Sequence, residues 1–250
     1  LIIRILFVFS SPLIIWDESV YANLGYDLSI NPLDYSFANN GWSDYIPDDS
    51  WPKAGFRAPL LPYALSVFYL LGLDSFIVLL IPLIGALTVI FTYLFGKKIF
   101  DKKTGIYSAI FLSFLPLHII HSGKILTDVL LAFLVLLAFI VFWEGYENKN
   151  KNYKILFGFF LALALLARYN ALWIFPVFPF YLIIRNKSLN FLKDKYLWYG
   201  IAVFFITLSP WFFYGILQYN NPIGQFIHGS KAASFFGGTT SMFMFIQNWL

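Results

Sequence analysis

Two adjacent acids, Asp17 and Glu18, follow directly on the apolar run Leu1–Trp16. A third, Asp128, stands in Ile125-Leu126-Thr127-Asp128, where another apolar run begins. A carboxylate in such a place is either a helix-start residue favoured by the helix dipole or a base or ligand held at the water–membrane boundary. On one helix Asp17 and Glu18 point about 100° apart, so only one of them aims at a given spot. Arginine is scarce, with 4 Arg against 13 Lys, and two of the four, Arg57 and Arg168, fall on what the sidedness of the basic loops makes the outer side, where basic residues are few. A guanidinium fork suits phosphate oxygens better than an ammonium does. The alternative for each is a side chain snorkelling to the interface. Lys124 is a weaker cation candidate of the same kind. His118 and His121, spaced i, i+3, share a helix face. They are either a metal pair or a polar lining, and two ligands do not make a metal site. His228 has no partner that the sequence identifies.

The elements that must position these residues follow from composition. Of the 250 residues, 60% are hydrophobic, 22% aromatic and only 12% charged. A soluble domain carries about twice that charge, and a disordered chain needs the opposite composition. Without cysteine there is no disulfide framework, thiol nucleophile or Cys-ligated zinc. An all-α polytopic membrane protein remains, and a mean hydropathy of +0.72 agrees.

Apolar stretches of about 20 residues signal spans. Leu1–Trp16 reads as the first transmembrane helix, with Leu1 already inside an apolar run and the chain expected to be a fragment. The 75–217 region holds six further spans: Ser75–Gly96, Thr104–Gly123, Ile125–Trp143, Ile155–Ala167, Ala171–Ile184 and Tyr196–Leu217. Between the first and second spans lies a 17–74 outer loop rich in Trp, Tyr, Pro and Asp, of a length that usually signals function. Within it Ser19–Leu28 is helix-compatible. Residues 218–250 read as the start of a later outer loop. Three basic loops, Lys97–Lys103, Lys149–Lys154 and Arg185–Lys195, are separated by pairs of spans and so share one side, the cytoplasm. Parity then forbids Ala58–Leu71 from crossing and makes it an interfacial helix. Under this assignment the inner side, Arg4 included, carries +8 and the outer side −4, which together give the chain's +4.

These residues resemble the GT-C membrane glycosyltransferases, in particular the protein-mannosyltransferase and lipid A aminoarabinose-transferase group. Asp17-Glu18 looks like the family's acidic pair, and Arg57-Ala58-Pro59-Leu60 like its Lys-Pro-Pro-Leu motif, with Arg and Ala replacing Lys and Pro. Asp128 resembles the acid of the second outer loop, and Ala167-Arg168-Tyr169 a Thr-Lys-Gly/Tyr turn. Ser209-Pro210-Trp211 with Asn221-Pro222 is similar to a Pro-Trp and Gly-Asn-Pro stretch. The resemblance implies a GT-C-type bundle of about seven transmembrane helices with interfacial helices in the first outer loop.

It also implies a sugar donor on a polyprenyl or dolichyl phosphate, moved with inversion to a hydroxyl-bearing protein, lipid or glycan acceptor. The site would face outside, in the plasma membrane of a prokaryote. The lipid phosphate leaves readily, so the chemistry needs a base for the acceptor and cations for the phosphate. Asp17 is the expected base, with Glu18 beside it, and Asp128 the group orienting the acceptor or a cation. Arg57, Arg168 and Lys124 are expected on the phosphate. Tyr21, Trp42, Trp51 and His121 are weaker substrate contacts, and Tyr45 is a further aromatic of that loop. The resemblance leaves metal dependence open, with a divalent cation (Mg or Mn) as the candidate cofactor; nucleic acid is not an expected partner. The rival reading is a transporter or flippase, which would place its acids near the bilayer midplane on broken helices.

Overall fold

The computed structural model describes residues 1–10, 17–37 and 53–228. Among them the chain is helical, apart from a single antiparallel bridge between Ser36 and Lys53. The helices are α1 (Ile2–Ser10), α2 (Asp17–Ile30), α3 (Leu60–Leu70), α4 (Leu80–Ile99), α5 (Lys102–Phe114), α6 (Pro116–Ser122), α7 (Thr127–Tyr146), α8 (Lys151–Ala167), α9 (Val177–Asn186) and α10 (Lys195–Tyr219).

Three helices are long and apolar enough to cross a membrane: 74–99, which joins a 3-10 turn to α4, then α7, then α10. A fourth span is α5 with α6 taken as a bent pair. The protein is thus an all-α membrane protein, and its spans number three or four by length and composition among the described residues, against the seven that the sequence suggests. α8, with 17 residues, is about one turn shorter than α7, and α9 is shorter still, preceded by a 3-10 turn at Tyr169–Ile174. Apolar side chains such as Leu6, Phe111, Phe180 and Ile206 stand exposed on their helices. In lipid these are ordinary outward faces, because helices satisfy their own backbone there.

Two features go beyond what hydropathy alone suggests. The apolar run 104–123 is not one straight helix but is broken by 62° at Leu115. Pro116 has no N–H to donate and its ring forces the preceding residue out of the helical region; Leu115 accordingly adopts φ −64°, ψ 113°. Arg4, expected near the start of the first span on the inner side, is buried. It is 3% exposed, donating from Nη2 to His118 Nδ1 at 2.8 Å and from Nε to Ser122 Oγ at 3.3 Å. This contact docks α1 on α6.

The core is built in layers. Leu61 and Leu65 of α3 are fully buried against Ile81 of α4, Val129 of α7 and Ala164 and Ala167 of α8. Val20, Leu24 and Leu28 of α2 pack with Tyr35, Phe37 and Trp211. At the far end of α7 and α8, Phe142, Phe157 and Phe178 form a third cluster. Ion pairs gather at the two ends of the bundle. At one end Lys98 meets Glu144, Lys154 meets Asp194, and Arg185 Nε lies 3.4 Å from Glu147. The Asp194 carboxyl, at the N-cap of α10, is held below its ordinary range: partial burial raises it, but hydrogen bonds from Lys154 and the Tyr196 N–H outweigh that. The other end carries Asp17, Arg57, Asp128 and Arg168.

Candidate active site

Four elements converge on a cavity of about 830 Å³, within the size range of small-molecule sites. α2 brings Asp17 and Tyr21; the 53–58 segment brings Phe56, Arg57 and Ala58; α7 brings Thr127 and Asp128; the turn after α8 brings Arg168 and Tyr169. Asp17 and Asp128 both stand in the first turn of their helices. The helix-start reading and the site reading are therefore compatible.

The charges are paired across elements. Arg57 donates from Nη2 to Asp17 Oδ1 at 2.5 Å, and Arg168 donates from Nη1 to Asp128 Oδ1. The Asp17 side chain is 52% exposed and that of Arg57 23%. Arg57 also lies over the Tyr21 ring, its Cζ 5.6 Å from the centroid. Burial works against the Arg57 charge, but Tyr21 and Asp17 outweigh it and push its pKa up, so it stays a cation. His121 Nδ1 is 3.7 Å from the second oxygen of Asp128.

Other expected site residues lie elsewhere. Glu18 does not line the cavity. It is 7% exposed and accepts the backbone N–H of Ile125 at 2.9 Å. One acid of the pair thus faces the cavity, while the other ties α2 to the segment that leads into Asp128. Lys124 lies in that segment, its carbonyl accepting from Leu126 N–H at 2.8 Å, and it too is outside the cavity lining. His118 is taken by Arg4. Trp42, Tyr45 and Trp51 lie outside the described residues.

Sequence reasoning misses the aromatic frame that holds Arg57. The Tyr169 hydroxyl donates to Gly55 O at 2.7 Å, lies 3.3 Å from Arg57 O, and accepts from Trp211 Nε1–H at 3.0 Å. The Tyr35 hydroxyl lies 3.3 Å from Arg57 O, and Tyr214 donates to Tyr35 O at 2.9 Å. Burial raises the pKa of both Tyr35 and Tyr169 well above that of a free tyrosine, so both remain neutral donors. Tyr169 and Trp211 sit in stretches that the sequence singles out, but nothing in a sequence joins positions 42 residues apart.

The polar end opens onto an apolar wall. Leu165 of α8 and Phe204, Leu208 and Phe212 of α10 line the same cavity. The arrangement joins a solvent-reachable carboxylate, two guanidiniums and a hydrocarbon-lined slot. A guanidinium engages each lining carboxylate, and no group of three His, Asp or Glu comes together among the described residues.

Residues 56–214, more than half of the chain, match the family of dolichyl-phosphate-mannose-protein mannosyltransferases. The matched segment contains Arg57, Asp128, Arg168, Tyr169 and Trp211, and begins after Asp17 and Glu18. No curated protein and no solved structure gives a match.

Proposed function

The chain belongs to the dolichyl-phosphate-mannose-protein mannosyltransferase family, and from that premise we propose that the cavity transfers a sugar from a dolichyl- or polyprenyl-phosphate donor to a hydroxyl acceptor on the extracytoplasmic face. Membership makes it a membrane glycosyltransferase of a family whose donors are dolichyl-phosphate sugars. The observation that carries the finer reading is the meeting, in one cavity, of the Asp17–Arg57 and Asp128–Arg168 pairs with an apolar wall on α8 and α10.

The donor phosphate lies between Arg57 and Arg168, with its lipid against the apolar wall. Both guanidiniums already bind carboxylates, so an arriving phosphate competes for them. As Arg57 turns to the phosphate, an Asp17 oxygen is released towards solvent, where the acceptor hydroxyl enters. The acceptor oxygen attacks the anomeric carbon while Asp17 takes its proton. The bond from that carbon to the phosphate oxygen breaks, and its electron pair leaves with the lipid phosphate. A single displacement of this kind inverts the anomeric centre. Asp128, held by Arg168 and flanked by His121, orients the acceptor. The arginines stabilise charge where it develops on the leaving oxygen. No step requires a metal ion or a nucleotide.

The test is transfer from dolichyl-phosphate mannose to a peptide acceptor. Removing a general base typically costs about 10²–10⁴-fold. Asp17→Asn should lower turnover by that order and still bind dolichyl phosphate. Near-normal turnover in that variant sinks the role given to Asp17; absence of transfer by the unaltered protein sinks the reading as a whole.

A further inference from the structure

A second cavity, of about 230 Å³, lies along the same pair of helices but at their other end. Its walls are nearly all apolar, with Phe157, Leu161, Leu197 and Ile201 prominent, and Lys154 and Tyr146 close it at the α8 start. Phe175 and Phe204 line this cavity and also the one that contains Asp17 and Arg57. The two rings meet edge to face, with centroids 5.5 Å apart. They stand between two hollows of a single seam.

The seam has a cause in the sequence. α8 and α10 run parallel, since Lys154 near the start of one is paired with Asp194 at the start of the other. Gly158 and Gly200 let the two backbones touch. A Cβ on Gly158 would run into the Gly200 backbone, and one on Gly200 would lie 2.6 Å from the Lys154 carbonyl. Where two helices touch without side chains, the larger residues beside the contact leave a hollow. Along α10 the lining runs from Leu197 to Phe212, which at 1.5 Å per residue is about 22 Å. This is most of the hydrocarbon thickness of a bilayer.

We propose that the inner cavity is a binding subsite for the distal isoprene units of the donor lipid, reached past the Phe175 and Phe204 rings that line both cavities, so that the seam selects long polyprenyl chains over short ones. This rests on the donor-lipid reading of the outer cavity. The occupant follows from continuity. The chain that enters at the Arg57 end already lies on Leu208 and Phe204, and the seam leads from Phe204 to Ile201 and Leu197. The walls offer dispersion contacts and no hydrogen-bonding path, as a hydrocarbon requires. On this reading a chain of two isoprene units stays in the outer cavity, and a dolichyl chain continues past the two rings.

The experiment measures binding of dolichyl phosphate and citronellyl phosphate, at equal mole fraction, to the full chain in nanodiscs. Ile201→Trp and Leu197→Trp each fill the inner cavity and leave the outer one untouched; two variants are used in case one fails to insert. The unaltered protein should bind dolichyl phosphate at least about tenfold more tightly than citronellyl phosphate, the effect of burying a few further methylene groups. Either Trp variant should remove that difference and leave citronellyl affinity unchanged. Equal affinity for the two lipids in the unaltered protein overturns the proposal, as does unchanged dolichyl affinity in a folded Trp variant or an equal loss for both lipids. These outcomes leave the donor-lipid reading standing. Failure of the unaltered protein to bind either phosphate instead removes that reading, and the inner subsite with it.

Discussion

Arg57 reaches Asp17 through its guanidinium, while its backbone carbonyl faces the hydroxyls of Tyr35 and Tyr169. The two ends of one residue are thus fixed by different elements. Arg168 is held more simply, its ion pair among the described residues being with Asp128. If the two arginines share the donor phosphate, each loses a charge-assisted bond when truncated, about 1.5–3 kcal/mol. Arg57→Ala and Arg168→Ala should each weaken dolichyl phosphate binding by roughly 10–100-fold, measured by titration in nanodiscs. The carboxylates left behind reach solvent, so both variants should stay folded; unchanged affinity in either would remove that arginine from the phosphate site. These four charged residues are legible in the sequence because charge is rare in a chain that is 12% charged. The choice between Asp17 and Glu18 is not. Helical geometry says that one of them faces the cavity, but the N–H of Ile125, 107 residues away, is what draws Glu18 inward.

At the scale of elements, the site depends on the short 53–58 segment, which belongs to no helix. The Ser36–Lys53 bridge and the hydroxyls of Tyr35 and Tyr169 hold it against α2 and α10. Tyr169→Phe removes a buried donor and leaves the Gly55 carbonyl and the Trp211 indole without it, which costs about 1–3 kcal/mol. Because this loosens Arg57 rather than removing it, donor KM should rise several-fold while kcat at saturating donor stays within about twofold. A fall in kcat with unchanged KM would give Tyr169 a part in the chemistry instead. The main spans are legible from hydropathy. The bend at Leu115 is legible only as Pro116 within an apolar run, and hydropathy alone reads through it. The frame around Arg57 is not legible at all. With 16 Tyr and 8 Trp in the chain, composition cannot say which rings share a hydrogen bond.

On the scale of the whole molecule, the ion pairs among the described residues gather at the two ends of an apolar bundle, while Arg4 is buried beside a histidine. Among the described residues Arg4 pairs with His118 and Ser122, neither of them a carboxylate. The sequence places Arg4 on the inner side near the start of the first span, because a charge there looks the same whether it faces water or a histidine. The parallel course of α4 with α7, fixed by Lys98 and Glu144 at their ends, and of α8 with α10, fixed by Lys154 and Asp194, agrees with the parity drawn from the basic loops. The cavity itself contains two cations and two anions in contact, so before substrate arrives its charges cancel. The donor enters as a phosphodiester with one negative charge. After transfer the lipid keeps a phosphomonoester, which approaches two negative charges above its second pKa of about 6. If the two guanidiniums hold the phosphate as proposed, they grip what remains more strongly than what came in. Turnover should then be limited by departure of the spent lipid rather than by sugar transfer. Dolichyl phosphate added to the assay should compete with donor at an inhibition constant below the donor KM. A rapid first turnover should precede a slower steady rate, and a reaction that is linear from its start and indifferent to added dolichyl phosphate would show that departure is not the slow step.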